Sequence, residues 1–440
     1  MATEAAPKLV LPDDTRFACE SCGDCCRNWP VPVTESDLAR IRSVDWQSLA
    51  TDPELGISRQ VPLGLGRVVE VLRQGPDRRC LFLGDDNLCR LHAKHGGAIK
   101  PVVCQVFPIQ FLDLAGEGDS ETRVGLQFNC LGAASGAGPP LSEQRAELAS
   151  LRKLLREQWP SSPAPETAEL DDGLSYASRR LAIVLDRLAD ELQSPDLALR
   201  DRLLVITEVT GLLAKSRFPS LEPGKRDLVA EFIKGTRSQV ERGVITPPTG
   251  SAGLPERLLF RQLLAYRTLD HAPELTGRDP IGRTSTGLQR LIHALRWTFG
   301  FGTIRFRDAE TVSLRRTRAE APTLTLSDEV LAAPLSRYLA GHLRGARPLS
   351  EALRPHGAMA ALGLLLRQVP MVILLARAAC LLRGGRAISE ADVLRGIRAA
   401  DLSFGQFLLV GGPFNRSRQN LLRKLDGVWR HLTWCGVRAA

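Results

Sequence analysis

The sequence predicts an α+β protein, in which a small irregular cysteine-cluster domain with short β-hairpins is followed by a mainly α-helical domain. Three observations predict it. Eight of the ten cysteines fall before residue 131. The same segment carries short strand-like runs broken by turn residues. Beyond residue 141 the apolar residues recur at helical spacing. At 440 residues the chain is long enough for more than one domain and can bury a core without disulfides.

The cysteine-rich part begins with Cys19, Cys22, Cys25 and Cys26, in a polar stretch with Gly23, Asp24, Arg27 and Asn28. Residues 79–83, with Cys80, read as a strand. Asp85-Asp86-Asn87 reads as a turn and residues 88–92, with Cys89, as the return strand. Such a hairpin would hold Cys80 and Cys89 near each other. Cys104 lies between Pro101 and Phe107-Pro108, and Cys130 closes a strand-like run from Val124 to Phe128. The long-range cysteines are thus expected on small β elements and the first four on a loop.

Three chemistries compete for these eight thiols. A disulfide framework requires an oxidising compartment. The first residues, MATEAAPKLVLPDD, lack the basic and apolar regions of a secretory leader, so a reducing cytoplasmic location is expected. Ordinary buried thiols belong in apolar sequence, and four cysteines within eight polar, turn-rich residues do not fit that description. Thiolate ligation fits the spacing, because each two-residue step lets the backbone wrap a centre and Gly23 relieves the sharp turn. Four thiolates satisfy tetrahedral zinc or a 4Fe–4S cluster equally well. Cys19, Cys22, Cys25, Cys26, Cys80, Cys89, Cys104 and Cys130 are therefore the candidate ligands, enough for two such sites, with zinc and iron–sulfur both open. His92 and His95 are the histidines near the cluster, readable as a further ligand or as exposed side chains.

The cysteines also carry a family resemblance. Cys19-Glu-Ser-Cys22-Gly-Asp-Cys25-Cys26-Arg27 is followed by Thr34-x2-Asp37-Leu38, by Cys80-Leu-Phe-Leu and by Cys89-Arg-Leu-His92. The series ends at Pro101-x2-Cys104-x2-Phe107-Pro108. Over residues 16–135 the chain resembles the CxxCxxCC cysteine-cluster proteins, the YkgJ-like zinc- or iron-chelating family, with Lys100 where the family usually has Arg. Residues Cys89 to Gly96, Cys104 to Pro108 and Asn129-Cys130-Leu-Gly are also similar to flagellin lysine-N-methylases. That second resemblance implies an iron–sulfur cluster with S-adenosylmethionine as methyl donor. It departs at Ile109, where an Arg often follows the Pro, and in the plain CxxCxxCC form of the first cluster.

Residues 131–141 read as a Gly/Ala/Pro linker. After it, Ser142 is positioned to cap a helix running to Gln158. One apolar stripe runs through Leu174, Ala177, Leu181, Val184, Leu185, Leu188 and Leu192, another through Leu199, Leu203, Ile206, Val209 and Leu213. Further helices are predicted over 225–242, 255–269 and 284–299, and short strands over 303–307, 312–314 and 323–326. Ser327 should cap the next helix and Ser389-Glu-Ala-Asp392 forms a capping box for another. Because these stripes can cover one another, residues 141–440 are expected to fold without the cysteine-rich part.

No catalytic motif appears in this helical part. Leu63-Gly-Leu-Gly66 lacks the third glycine of a dinucleotide fingerprint, and the strand–helix alternation of a Rossmann-type fold is missing. His271, His293, His342, His356 and His431 show no metal-ligand spacing. The apolar run from Met359 to Leu382 is interrupted by Arg367 and Arg377, so it predicts buried helices and no membrane span. Net charge is +9, with −4 on residues 1–140 and +13 on the remainder. Of the 58 basic residues only eight are Lys, so the basicity is not a strong nucleic-acid signal. The expected partner is a metal ion or cluster, with a protein partner open to the helical domain.

Overall fold

The computed structural model describes residues 8–27, 30–64, 67–75, 77–115, 121–159, 163–216, 227–268, 291–306, 308, 310–353, 356–402, 404 and 415–438. The fold is α+β, with short strands in the cysteine-rich part and a mainly helical remainder. The chain opens with β1 (Lys8–Val10), and α1 (Glu35–Arg42) follows the cysteine loop. A capping box starts α1: Asp37 N donates to Thr34 Oγ1 at 3.1 Å, and Thr34 N donates to Asp37 Oδ2 at 2.9 Å. β2 (Ser58–Gly64) and β3 (Arg67–Leu72) form an antiparallel hairpin. Two short helices, α2 (Arg90–His95) and α3 (Val102–Val106), lead into β4 (Ile109–Leu114) and β5 (Glu121–Leu126). β4 and β5 pair antiparallel, and β1 joins the other edge of β5 in parallel.

α4 (Leu131–Ser135) occupies much of the expected linker, and its Gly132, Ala133 and Ala134 are buried. Gly132 leaves no room for a side chain, since a Cβ there would lie 2.1 Å from the Ala18 carbonyl oxygen. The small residues at 131–135 thus serve close packing against the start of the cysteine loop, a requirement that looks like linker composition in sequence.

The helical part comprises α5 (Arg145–Gln158), α6 (Ser178–Gln193), α7 (Leu199–Ser216), α8 (Leu228–Glu241) and α9 (Leu254–Thr268), then helical residues 291–298. Residues 269–290, which include His271 and part of one predicted helix, lie outside the described residues. α10 (Leu314–Glu320), α11 (Glu329–Arg344), α12 (Gly357–Leu366), α13 (Gln368–Leu382), α14 (Glu390–Asp401), α15 (Asn415–Arg423) and α16 (Asp426–Trp434) complete it. Thr303–Arg305 and Thr311–Ser313 are short strands, as expected there, and they pair antiparallel.

Three boundaries differ from expectation. Ser142 lies in a 3-10 turn, Leu141–Gln144, and α5 starts at Arg145. Leu174 and Ala177 belong to a strand paired with Thr167–Asp171 across a turn at Gly173 (φ 70°), and the helix begins only at Ser178. Asp328 takes the capping place expected for Ser327, and its carboxylate accepts from Thr325 N at 2.8 Å.

The apolar run is explained by what its arginines do. The segment Gly357–Leu382 is long and apolar enough to cross a membrane, yet residues 357–380 are all buried in the protein. Arg367, 1% exposed, sits between α12 and α13 and donates to the carbonyls of Gly363, Leu421, Leu422 and Lys424. Arg377, 2% exposed, donates to Pro322 and Ala321 carbonyls and to that of Cys435. Each guanidinium satisfies carbonyls that would otherwise be buried unpaired at helix ends. Pro370 stands in the first turn of α13, where no backbone hydrogen bond is lost.

Apolar packing divides unequally. A small cluster holds Val31, Val33, Leu38, Ile41, Leu81, Phe82, Leu83 and Leu91, with Cys26, Cys89 and Cys104 along its rim. The main core runs without interruption from Val102 through Leu126 and Phe128 to Val437. Phe128 meets Tyr338 edge-on at 5.3 Å, and a Cβ on Gly341 would lie 2.4 Å from the Phe128 ring. β5 therefore seats directly against α11. The division we propose, a cysteine-cluster domain over 16–135 and a helical domain over 141–440, is one of chemistry and not of packing. Deleting residues 1–140 takes Phe128 away from Tyr338 and His342, so residues 141–440, expected from sequence to fold alone, should instead melt without a cooperative transition by circular dichroism. A sharp, full-amplitude melt from residues 141–440 alone would contradict this.

Candidate metal centre

The cysteine loop is shaped by two left-handed residues, Ser21 (φ 52°) and Gly23 (φ 71°), the second being the glycine that sequence singles out. Gly23 also lies close to Asn87, since a Cβ on it would come 3.0 Å from the Asn87 Cβ. A 3-10 turn over Asp24–Cys26 follows, with Cys26 N donating to Gly23 O at 3.0 Å. Cys80 N then donates to Cys26 O at 2.8 Å, and Arg27 pairs with Asn87. This registry sets the 19–26 loop against the 80–89 segment.

Leu83 bridges Cys89 as the hairpin reading requires, and Gly84 N donates to Leu88 O at 2.8 Å across the Asp85-Asp86-Asn87 turn. The return strand is a correction, however. Cys89 is the N-cap of α2, and residues 90–92 are helical. Likewise Cys104 lies inside α3 and Cys130 is the N-cap of α4. Short helices carry three of the four long-range thiols, because each begins where a turn delivers its cysteine to the loop.

α3 is fixed by Asp37. Its Oδ1 accepts from Val102 N at 3.0 Å, the same carboxylate pairs with Arg40, and Asp37 is fully buried. The Thr34-x2-Asp37 spacing thus joins the start of α1 to the helix that holds Cys104.

The thiols act on one another across the chain segments, with Cys25 a neighbour common to Cys26, Cys104 and Cys130. Cys26 feels the charge of Cys25, Cys80 and Cys104, and Cys104 that of Cys80, Cys89 and Cys25. Cys130 feels Cys22 and Cys25. Cys25 Sγ and Cys26 Sγ are 3.8 Å apart, and none of the ten cysteines forms a disulfide. Among the described residues, no three His, Cys, Asp or Glu side chains stand close enough to enclose an ion. The donor chemistry fits a soft metal centre: eight sulfurs, no competing carboxylate within the set, and partial burial. His92 and His95 are exposed on α2.

Burial and the neighbouring thiols favour the protonated form at Cys22, Cys26, Cys80, Cys104 and Cys130. The hydrogen bond to Cys25, then burial, pushes Cys26 up, burial pushes Cys104 well up, and burial raises Cys80 to about 12 and Cys130 to about 11. Cys22 is raised as well, chiefly by burial. A raised acid contributes stability in full below its unfolded value, here 9.0, and loses it as pH climbs through the folded value. The metal-free, reduced chain is therefore expected to lose thermal stability progressively from about pH 9 towards pH 12. Melts of the chelated protein check this, and an unchanged Tm between pH 8 and 10.5 would contradict it.

Cys380 and Cys435 stand apart. Both are buried, and Cys380 Sγ donates to the Gly385 and Ala387 carbonyls at 3.3 and 3.2 Å. His431 is stacked on Phe260 and held by Glu256 O at 3.0 Å, and His342 by Asp401 at 2.8 Å. Sequence reasoning missed Arg398 of α14, which pairs with Asp24 inside the cysteine loop.

Neither a curated protein nor a solved structure matches the chain. Residues 18–127 match the family model CxxCxxCC, described as "Putative zinc- or iron-chelating domain". With its cysteines in that spacing and its thiols gathered from separate segments, the chain carries, over residues 18–127, a domain of the CxxCxxCC zinc- or iron-chelating family.

Proposed function

We propose that this protein ligates metal through its N-terminal thiolates, as an iron–sulfur cluster or as zinc. The observation that carries the reading is that one small core draws on separate chain segments for Cys80, buried within it, and for Cys26, Cys89 and Cys104 along its rim. We assign these four to one centre, and Cys19, Cys22, Cys25 and Cys130 to a second. Each set supplies four soft donors, the number that tetrahedral zinc or a 4Fe–4S cluster takes. The metal, once bound, supplies the charge that keeps these sulfurs deprotonated. The chain's own contribution is to hold them: Gly23 turns the loop, Asp37 fixes α3, and the Cys80–Cys26 backbone bond sets the register.

The alternative, a lysine-N-methylase-like enzyme using S-adenosylmethionine beside a 4Fe–4S cluster, requires a nucleoside site as well. Among the described residues the sheets have two or three strands and no parallel strand–helix alternation, so metal binding without defined catalysis is the reading we prefer. Incubation with methyl-labelled S-adenosylmethionine and a lysine-rich protein separates the two, and we expect no label transfer. Label on lysine that disappears in Cys104→Ser would reverse the preference.

A further inference from the structure

We infer that α14 of the helical part is a positioning element for the metal centre, acting through Arg398 and Asp401. This rests on the metal-binding reading above and names what tunes that site. The two residues stand one turn apart and reach the two cysteine-bearing segments of the second group separately. The Arg398 guanidinium pairs with Asp24, the residue immediately before Cys25, and its Nε approaches Asn129 O at 3.5 Å. The Asp401 carboxylate accepts from Asn129 N through Oδ2 at 3.0 Å, immediately before Cys130, and meets His342 Nε2 through Oδ1 at 2.8 Å. Cys22 and Cys130 are thus braced from one helix that is 374 residues beyond Asp24 in sequence.

A brace has to be stiffer than what it holds, and α14 is. Val393, Ile397 and Ala400 are buried, and the Ser389/Asp392 capping box closes its first turn. Arg383 ties Asp392 to the end of α13 at 2.7 Å. Gly396 allows contact with the α13 backbone, where a Cβ would lie 2.7 Å from Val372 O. By contrast the Asp24–Cys26 turn has no buried residue of its own. Its position relative to Cys130 therefore depends on contacts from outside, and outer contacts that orient ligands typically change metal affinity by about 10–100-fold when removed. An ordinary packing contact between the two parts predicts a general loss of stability instead.

The test uses the full chain, loaded with zinc and titrated against a chromophoric chelator, with hydrogen exchange of the metal-free form measured in parallel. Arg398→Gln should weaken zinc binding by about 10-fold and speed exchange of the amides of residues 22–27. Asp24→Asn, made from the exposed loop, removes the same pair without touching the core. The double variant should bind no more weakly than the weaker single one, since both act through one contact. Arg398→Lys should recover part of the affinity. Arg344→Gln is the control: it breaks the Arg344 pairs with Asp14 and Asp190 and should lower Tm with zinc affinity unchanged. Additive losses from the two single variants, or wild-type affinity and exchange in a folded Arg398→Gln, would overturn the brace. A wild-type chain that takes up neither zinc nor an iron–sulfur cluster would instead sink the metal reading, and unchanged loop exchange in Arg398→Gln would still refute the brace on its own.

Discussion

Serine at Cys26, Cys80, Cys89 or Cys104 is expected to reduce metal affinity at least about 100-fold, because a hard, weakly donating oxygen replaces a soft sulfur in a four-donor set. The four differ in what else they disturb. Cys80 is buried within the small core, so Cys80→Ser should also lower the stability of the metal-free chain. Cys89 and Cys104 are partly exposed and should act mainly on the metal. Cys380→Ser and Cys435→Ser supply the comparison. Both thiols are buried, and Cys380 already donates to two carbonyls, so a hydroxyl can substitute there with metal content unchanged. Metal analysis of the six purified variants reads the outcome. A folded Cys380 or Cys435 variant that has lost its metal would place a ligand in the helical part and break the assignment.

The second large effect is expected at Asp37. Asp37→Ala removes the acceptor of Thr34 N, of Val102 N and of Arg40 together, in a fully buried position. Leaving the Thr34 and Val102 amides without their acceptor, and Arg40 without its carboxylate, should cost about 3 kcal/mol. Asp37→Asn retains one oxygen acceptor and should lose less. Since Val102 begins the helix that bears Cys104, the Ala variant should also bind metal more weakly than its stability alone explains. Urea unfolding of the metal-free variants gives the first quantity and chelator competition the second. An Asp37→Ala chain as stable as wild type would show that the buried Asp37 carboxylate is not what holds α3.

The fold class, the helical stripes and the Ser389 capping box are legible in sequence because each depends on residues a few positions apart. Gly23 is legible for the same reason, as is the turn at residues 85–87. The helices at Cys89, Cys104 and Cys130 are not. Each is five or six residues long, too short to show a period, and is fixed by distant partners such as Asp37 for α3. The small residues of α4 mimic a linker because close packing against Ala18 selects the same residue types as flexibility does. Continuity of the core across residues 135–141 is equally hidden, since it arises from β5 seating on α11, more than two hundred positions away. Of the candidate site, the eight thiols carry their chemistry in their spacing, but Asp37 signals itself only as a helix cap. Arg398 and Asp401 signal nothing, being two charged residues on an amphipathic helix.

The central claim is that the N-terminal thiols hold metal, and it is tested most directly by purifying the full chain anaerobically and measuring iron, zinc and the visible spectrum together. The account predicts at least about one equivalent of iron–sulfur cluster or zinc per chain, with a broad absorbance near the thiolate-to-iron region in the first case and none in the second. Folded protein with less than about half an equivalent of both metals would contradict it.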